Sequence, residues 1–550
     1  MKKYIFLILL QTLFVETAFS QKVIPASVSS NAVYPKLVIG IVIDQMRYDY
    51  IYKYWSKYCN DGFKRLVNEG YSCKNTNFNY VPTYTGPGHA SIYTGTTPAI
   101  HGIVGNDWYD REVASRVYCV KDKSQKTIGT LNEKDSSGSM SPHRMLTTTI
   151  TDELKLSNNK KSKVIGISLK DRGAILPAGH MANAAYWMNA EGMWISSSYY
   201  MKNLPVWVTN FNAKSLTQKY LSQVWNTLLP INQYTESLSD TNVFESPYEG
   251  ELLPVFPHNL LEIVKKEGNE LIKATPFGNS ILKDFAIETI KSEQLGKRTF
   301  CDFLALSFSS TDYLGHQFGP TSVEVEDCYL RLDRDIAELL KFLDTYLGKN
   351  NVLIFLTADH AAPENPLYLK SLGIGAGTID GSTFKSVNET LKNMYGDSII
   401  EKYINQQFYL NNKVIGRRKL DKVDVENYIA SQVVLVKGVA ASVTRTTLCN
   451  SEFTESPRML IQKGFNQKRS GDVMLNYEPG WMDYVTLGTT HGSAYSYDTH
   501  VPLIWYGYLI KHGSTVEPIN ITDIAPTLAL LLNIQFPNGC TGKPIQMLFK

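Results

Sequence analysis

The sequence predicts an α/β fold around a mostly parallel central sheet, and two observations carry that expectation. Three near-continuous apolar runs, Lys36 to Ile43, Phe303 to Phe308 and Asn351 to Leu356, have the length and composition of strands buried on both faces. Each run also leads into metal-loving side chains: Asp44 after the first, Asp312 and His316 after the second, Asp359 and His360 after the third. Ligands of open parallel sheets gather outside the carboxyl ends of the strands, so these side chains should converge although they are far apart in sequence.

Taken in order, the chain opens on Met1-Lys2-Lys3, a short apolar stretch and Ala18-Phe19-Ser20, the pattern of a secretory signal peptide over residues 1–20. The mature chain should begin near Gln21, and a periplasmic or secreted location follows. No other segment approaches about 20 uninterrupted apolar residues, so no membrane span is expected. After the first strand comes Thr83-Tyr84-Thr85-Gly86-Pro87-Gly88-His89-Ala90-Ser91, a hydroxyl set before Gly-Pro-Gly and an apolar helix. A helix N-terminus offers free N–H groups and a favourable dipole to phosphate, which makes Thr85 a candidate nucleophile. From this segment alone, a Thr that merely caps its helix is the commoner reading. Lys170 and Arg172 follow a further strand, Val164 to Ser168, and so emerge at the same edge of the sheet.

Two stretches read as insertions into a single large catalytic domain, residues 21–550. One lies near residues 180–275, rich in Asn, Ser, Tyr and Pro, and the other near 365–450, where Gly-rich chain precedes a charged helical segment. Insertions of that length in a compact fold commonly cap a binding site. Asn520 to Asn533 reads as a helix with Asp523 in its first turn. A net charge of +3 on 550 residues favours neither a nucleic-acid partner nor a membrane surface. The seven cysteines contain no C-x-x-C pair, and their odd number leaves at least one free thiol.

Carboxylate oxygen and imidazole nitrogen without thiolate make a ligand set suited to hydrolytic zinc, and two clusters of it suggest a two-metal site. Taken singly the residues are less telling: an Asp after a strand is usually a turn residue, and His316 four residues after Asp312 also fits a helix-surface pair.

In combination these residues resemble the alkaline phosphatase superfamily, most closely its bacterial periplasmic monoesterases with a threonine nucleophile, the phosphate-irrepressible type. The resemblance runs through Asp44, Thr85 to His89, Asn106, Ser168 to Gly173, Asp312 with His316, Asp359-His360, and Thr489-Thr490-His491-Gly492-Ser493. It implies an alkaline-phosphatase-like three-layer sandwich with cap-like insertions. It also implies two Zn2+ ions, one held by Asp312, His316 and His491, the other by Asp44, Asp359, His360 and the Thr85 oxygen. Only the resemblance singles out His491, which stands in a Thr- and Gly-rich loop. Asn106, Lys170 and Arg172 would bind the phosphoryl oxygens, a trio that suits a monoester dianion.

The activity implied is hydrolysis of small-molecule phosphate monoesters by a monomer, in two in-line steps through a phosphothreonine at Thr85. The alternative is a phosphodiesterase or nucleotide pyrophosphatase of the same superfamily. A sulfatase would need Cys or Ser followed by x-Pro-x-Arg where Thr85 leads Gly-Pro-Gly-His, and a non-catalytic relative would be expected to have lost ligands that are all present here.

Overall fold

The computed structural model describes residues 34–549 apart from 131, 133, 484 and 485. The expected signal peptide, residues 1–20, lies outside the described residues.

Leu37–Ile43 forms the middle of the sheet because it can be buried on both sides. It pairs in parallel with Asp302–Phe308 on one edge and Val352–Thr357 on the other, so that Val42 lies opposite both Ser307 and Thr357. This register brings all three strands to the same edge at Asp44, Ser309 and Ala358. The parallel run continues through Val164–Ser168 to Ala184–Met188. Beyond Val352–Thr357, the strands His500–Gly507 and Tyr71–Asn77 add antiparallel neighbours, and the sheet reaches 11 strands among the described residues. Every residue of the three central strands is buried. Both faces are therefore covered, as the three-layer arrangement requires.

The two expected insertions differ from their sequence outlines. The first opens with Ala184–Met188 and Trp194–Ser197, which belong to the central sheet. Their aromatic and polar residues mask short, fully buried strands. The second extends past residue 450: Val473–Tyr477 pairs with Gln407–Leu410 and Val439–Thr444 in a separate four-stranded sheet with Ile400–Ile404. This accessory sheet has its own core, including Phe384, Leu391, Phe408, Ile429 and Val473. Near the carboxyl end, the segment expected as one helix is a short 3-10 turn, Ile521–Asp523, followed by the helix Ile524–Leu531. All seven cysteines are free thiols. Among the described residues no helix is long and apolar enough to cross a membrane.

The helix Thr85–Thr94 packs directly on the middle strand at Gly40. A Cβ there would lie 2.3 Å from the Tyr93 hydroxyl and 2.5 Å from the Phe355 ring. Glycine in a buried strand commonly marks such a close approach. Gly40→Val should therefore overpack this junction at a cost of about 1–3 kcal/mol or more, read as a lower unfolding midpoint. A variant with the wild-type midpoint would contradict this packing.

Candidate active site

The sheet edge gathers the expected ligands. Asp44 directly ends its strand. Asp312 sits in the first turn of the helix Ser310–Phe318 with His316 one turn later, and Asp359 and His360 follow Val352–Thr357. His491 arrives from a loop. Asp312, His316 and His491 present ligand atoms within 4.8 Å of one another, and so do Asp44, Asp312 and His360. Asp312 thus faces both groups. Asp359 stands at the side of the second group, its Oδ2 3.7 Å from His360 Nε2. The rings of His360 and His491 stack with centroids 3.5 Å apart, so the two groups adjoin.

The imidazoles are oriented for a cation. Nδ1 of His316, His360 and His491 lies 2.8, 3.1 and 2.6 Å from the carbonyl oxygens of Thr489, Ala361 and Thr83. A carbonyl only accepts, so Nδ1 carries the hydrogen and the Nε2 lone pair is left over. Those lone pairs face carboxylates: His316 Nε2 is 3.2 Å and His491 Nε2 3.6 Å from Asp312 Oδ1, and His360 Nε2 is 3.4 Å from Asp44 Oδ1. Asp44 Oδ1 and Asp359 Oδ2 are buried and accept no hydrogen bond. Lone pairs facing lone pairs, with orphaned carboxylate oxygens beside them, need a proton or a metal ion between them. Burial opposes the charge on His360, but Asp359, Asp44 and Asp312 push its pKa up to about 9. The donor set and its outer hydrogen bonds fit a metal centre.

Around Thr85 the structure separates the expected phosphate-binding trio. Thr85 is the first helical residue, and no side chain caps this helix. The capping alternative therefore does not describe it. Its Oγ1 lies 3.5 Å from Arg172 Nη2 and 3.5 Å from His360 Nε2. Asn106 Oδ1 accepts the Gly86 N–H at 2.7 Å, which leaves the amide nitrogen as the free end. Lys170 lies elsewhere: its buried Nζ donates to Asp44 Oδ2 at 2.6 Å and to Asp312 Oδ2. Burial opposes its charge, yet the Asp312 and Asp44 carboxylates hold its pKa above the ordinary lysine value. Gly88 permits the helix to approach, since a Cβ there would lie 2.2 Å from the Asp359 carbonyl oxygen.

Four supporting residues were not assigned a role from the sequence. Gln45, at φ +64°, donates from Nε2 to Asp312 Oδ1 at 2.8 Å and from its backbone N–H to Asp359 Oδ1 at 3.2 Å. Tyr118 accepts from Arg172 Nη1 at 3.0 Å and donates to Asp171 Oδ1 at 2.5 Å. Asp498 accepts the N–H groups of Gly492 and Ser493 and so tethers the loop of His491. His89, one helical turn after Thr85, has Nδ1 2.9 Å from Thr85 O and 3.3 Å from Asp359 Oδ2. For Gln45 a signal existed, since it directly follows the carboxylate at a strand end.

Comparison with known proteins identifies the family and the fold. Residues 38–500 match the family model described as type I phosphodiesterase / nucleotide pyrophosphatase. The chain is 47% identical to a Myroides odoratus protein named calcium-transporting ATPase, over 93% of this chain and 94% of that one. It is 44% identical to alkaline phosphatase PafA of Elizabethkingia meningoseptica over the same shares, 93% and 94%. It is also 42% identical to alkaline phosphatase PhoV of Synechococcus elongatus over 100% of both chains. A crystal structure of wild-type PafA is similar at a TM-score of 0.91, with 44% identity, 94% of this chain and 99% of that chain covered.

The outer hydrogen bonds generate a direct test. Gln45→Ala removes the donor to Asp312 and should weaken metal binding about 10- to 100-fold, read by elemental analysis after dialysis against graded chelator. Wild-type retention would show that Gln45 does not hold Asp312.

Proposed function

Because the chain belongs to the type I phosphodiesterase / nucleotide pyrophosphatase family, within the alkaline phosphatase superfamily, we propose that it works as an alkaline phosphatase with Thr85 as its nucleophile. It hydrolyses phosphate monoesters, a reading supported by its relatives PafA and PhoV, both named alkaline phosphatases. The observation that carries the reading of the site is the position of Thr85. Its hydroxyl is uncapped at a helix N-terminus, between the Arg172 guanidinium and the metal-facing nitrogen of His360.

The mechanism follows from what each side chain can do. Arg172 lies close enough to Thr85 to take phosphoryl oxygens with two N–H groups, while Tyr118 and Asp171 keep the guanidinium in place. Asn106, its oxygen held by Gly86, offers its amide nitrogen to another oxygen. Lys170 adds positive charge on the carboxylate side. A crystallised variant of PafA is substituted at a threonine, an asparagine, a lysine and an arginine, the four residue types of Thr85, Asn106, Lys170 and Arg172. Thr85 Oγ1 forms a bond to phosphorus as the bond to the ester oxygen breaks, leaving phosphothreonine and a free alcohol. Water then takes the phosphoryl group and Thr85 Oγ1 is released. Two zinc ions, one held by Asp312, His316 and His491 and the other by Asp44, Asp359, His360 and Thr85, would lower the pKa of the attacking oxygens and take up the leaving-group charge.

Both ligand groups come from one chain, which supports a monomer as the working unit. The pattern of residues 1–20 supports a periplasmic or secreted location. The name of the Myroides relative favours a second substrate, since the terminal phosphoryl group of ATP presents the same dianion.

Thr85→Ala should lose monoester hydrolysis by about three orders of magnitude or more while Thr85→Ser retains part of it, and enzyme quenched in acid during turnover should carry phosphate on Thr85. Near-normal turnover by the alanine variant would rule out the covalent route. Elemental analysis of the active enzyme should find two zinc ions per chain, and fewer would overturn the two-zinc reading. Arg172→Ala should lower monoester kcat/KM about 10- to 150-fold, the worth of a charged hydrogen bond, with a smaller loss on a diester monoanion. Equal losses on both would favour the phosphodiesterase reading.

A further inference from the structure

The residues around the phosphoryl position depend on a small hairpin that the metal ligands do not touch. Asp107–Asp110 and Ser115–Tyr118 pair as antiparallel strands, starting one residue after Asn106 and ending at Tyr118, the partner of Arg172. The Cys119 N–H donates to Asn106 O at 2.8 Å and closes its base. The hairpin also docks on the accessory sheet. Tyr109 meets Tyr409 edge to face with centroids 5.5 Å apart, and Arg111 donates to the buried carboxylate of Asp472 at 2.9 Å.

The contact nearest the site is made by Asn405. Asn405 and Gln406, at φ +54° and +60°, form the two-residue turn between Ile400–Ile404 and Gln407–Leu410. Such turns need left-handed residues, and Asn tolerates that conformation. The Asn405 amide reaches across to the catalytic unit, where Nδ2 donates to Asp107 O at 2.6 Å. A Cβ on Gly105 would lie 2.5 Å from the same Nδ2. Asn405 therefore hydrogen-bonds the residue after Asn106 and packs closely against the one before it.

We infer that Asn405 is a positioning residue for phosphoryl transfer: the turn of the accessory sheet clamps Gly105 and Asp107 and thereby holds the Asn106 amide against the phosphoryl oxygen. This rests on the reading of Asn106 as a phosphate ligand. A small displacement of a group that binds the transferring phosphoryl is costly, since a misplacement of about 1 Å can reduce rate about 100-fold. The accessory sheet is thus coupled to catalysis without supplying a group that touches substrate.

The test is a double-mutant cycle on monoester kcat/KM. Asn405→Gly removes the amide and leaves the residue that left-handed turns prefer, so the turn itself should be retained, as an unchanged unfolding midpoint will show. Expected is a loss of about 3- to 10-fold, with inhibition by inorganic phosphate weakened in the same ratio. In an Asn106→Ala background Asn405→Gly should have no further effect, because it acts through the missing amide. Gly105→Ala, which pushes on the contact from the other side, should reproduce the loss. Independent losses that multiply in the double variant, or wild-type kinetics for Asn405→Gly beside an impaired Asn106→Ala, would overturn the inference. Wild-type kinetics for Asn106→Ala would overturn the reading of Asn106 itself.

Discussion

Three buried carboxylates, Asp44, Asp312 and Asp359, crowd one edge of the sheet, and that concentration of negative charge governs the site. Two like charges about 4 Å apart repel by about 4 kcal/mol at the effective dielectric typical of proteins. Such a group persists only where cations answer it. The Lys170 ammonium, paired with Asp44 and Asp312, is one such cation, and a proton or metal ion between the histidine nitrogens and the carboxylates they face is the other. Asp44 and Asp312 show the balance: burial, and for Asp44 also the Asp312 charge, favour the protonated forms, yet for Asp44 Lys170 and His360, and for Asp312 His316 and Lys170, hold the pKa below the usual carboxylate range.

The sheet makes this crowding possible. Three parallel strands in register deliver their carboxyl ends side by side, with backbone groups already paired and both faces packed. The paired strands hold the candidate ligand atoms of each group within 4.8 Å of one another, and the surrounding carbonyls of Thr83, Ala361 and Thr489 fix the imidazole orientation. In the proposed mechanism phosphate recognition falls to other pieces, the Thr85 helix and the hairpin after Asn106.

Much of this was legible in the sequence because two periodic signals coincide. Asp44, Asp312, Asp359 and His360 could be placed from apolar runs and the polar residues that follow them, and the sheet pairs those runs as expected. His491 could not be derived in that way. Its loop has no periodicity, and its position depends on Thr83 and Asp498, the first 408 residues away in the chain. Tyr118 and Asn405 were invisible for the same reason, since a long-range hydrogen bond leaves no local pattern. Lys170 shows a different limit: its emergence at the sheet edge was readable, but whether it turns to phosphate or to carboxylate is settled by neighbours supplied from other strands. The strands at Ala184–Met188 and Trp194–Ser197 were hidden by composition, being short and rich in aromatic and polar residues.

The hairpin Asp107–Tyr118 has an evolutionary consequence. One of its roots adjoins Asn106, which accepts the Gly86 N–H, and the other is Tyr118, which supports Arg172 beside Thr85, the residues proposed to bind the phosphoryl group, while no candidate metal ligand lies within it. A lineage could exchange this cassette, together with the accessory sheet that braces it, and leave the metal chemistry unaltered. Substrate preference and reactivity are then inherited separately. A family whose members act on monoesters and on diesters is what such a division of labour would produce.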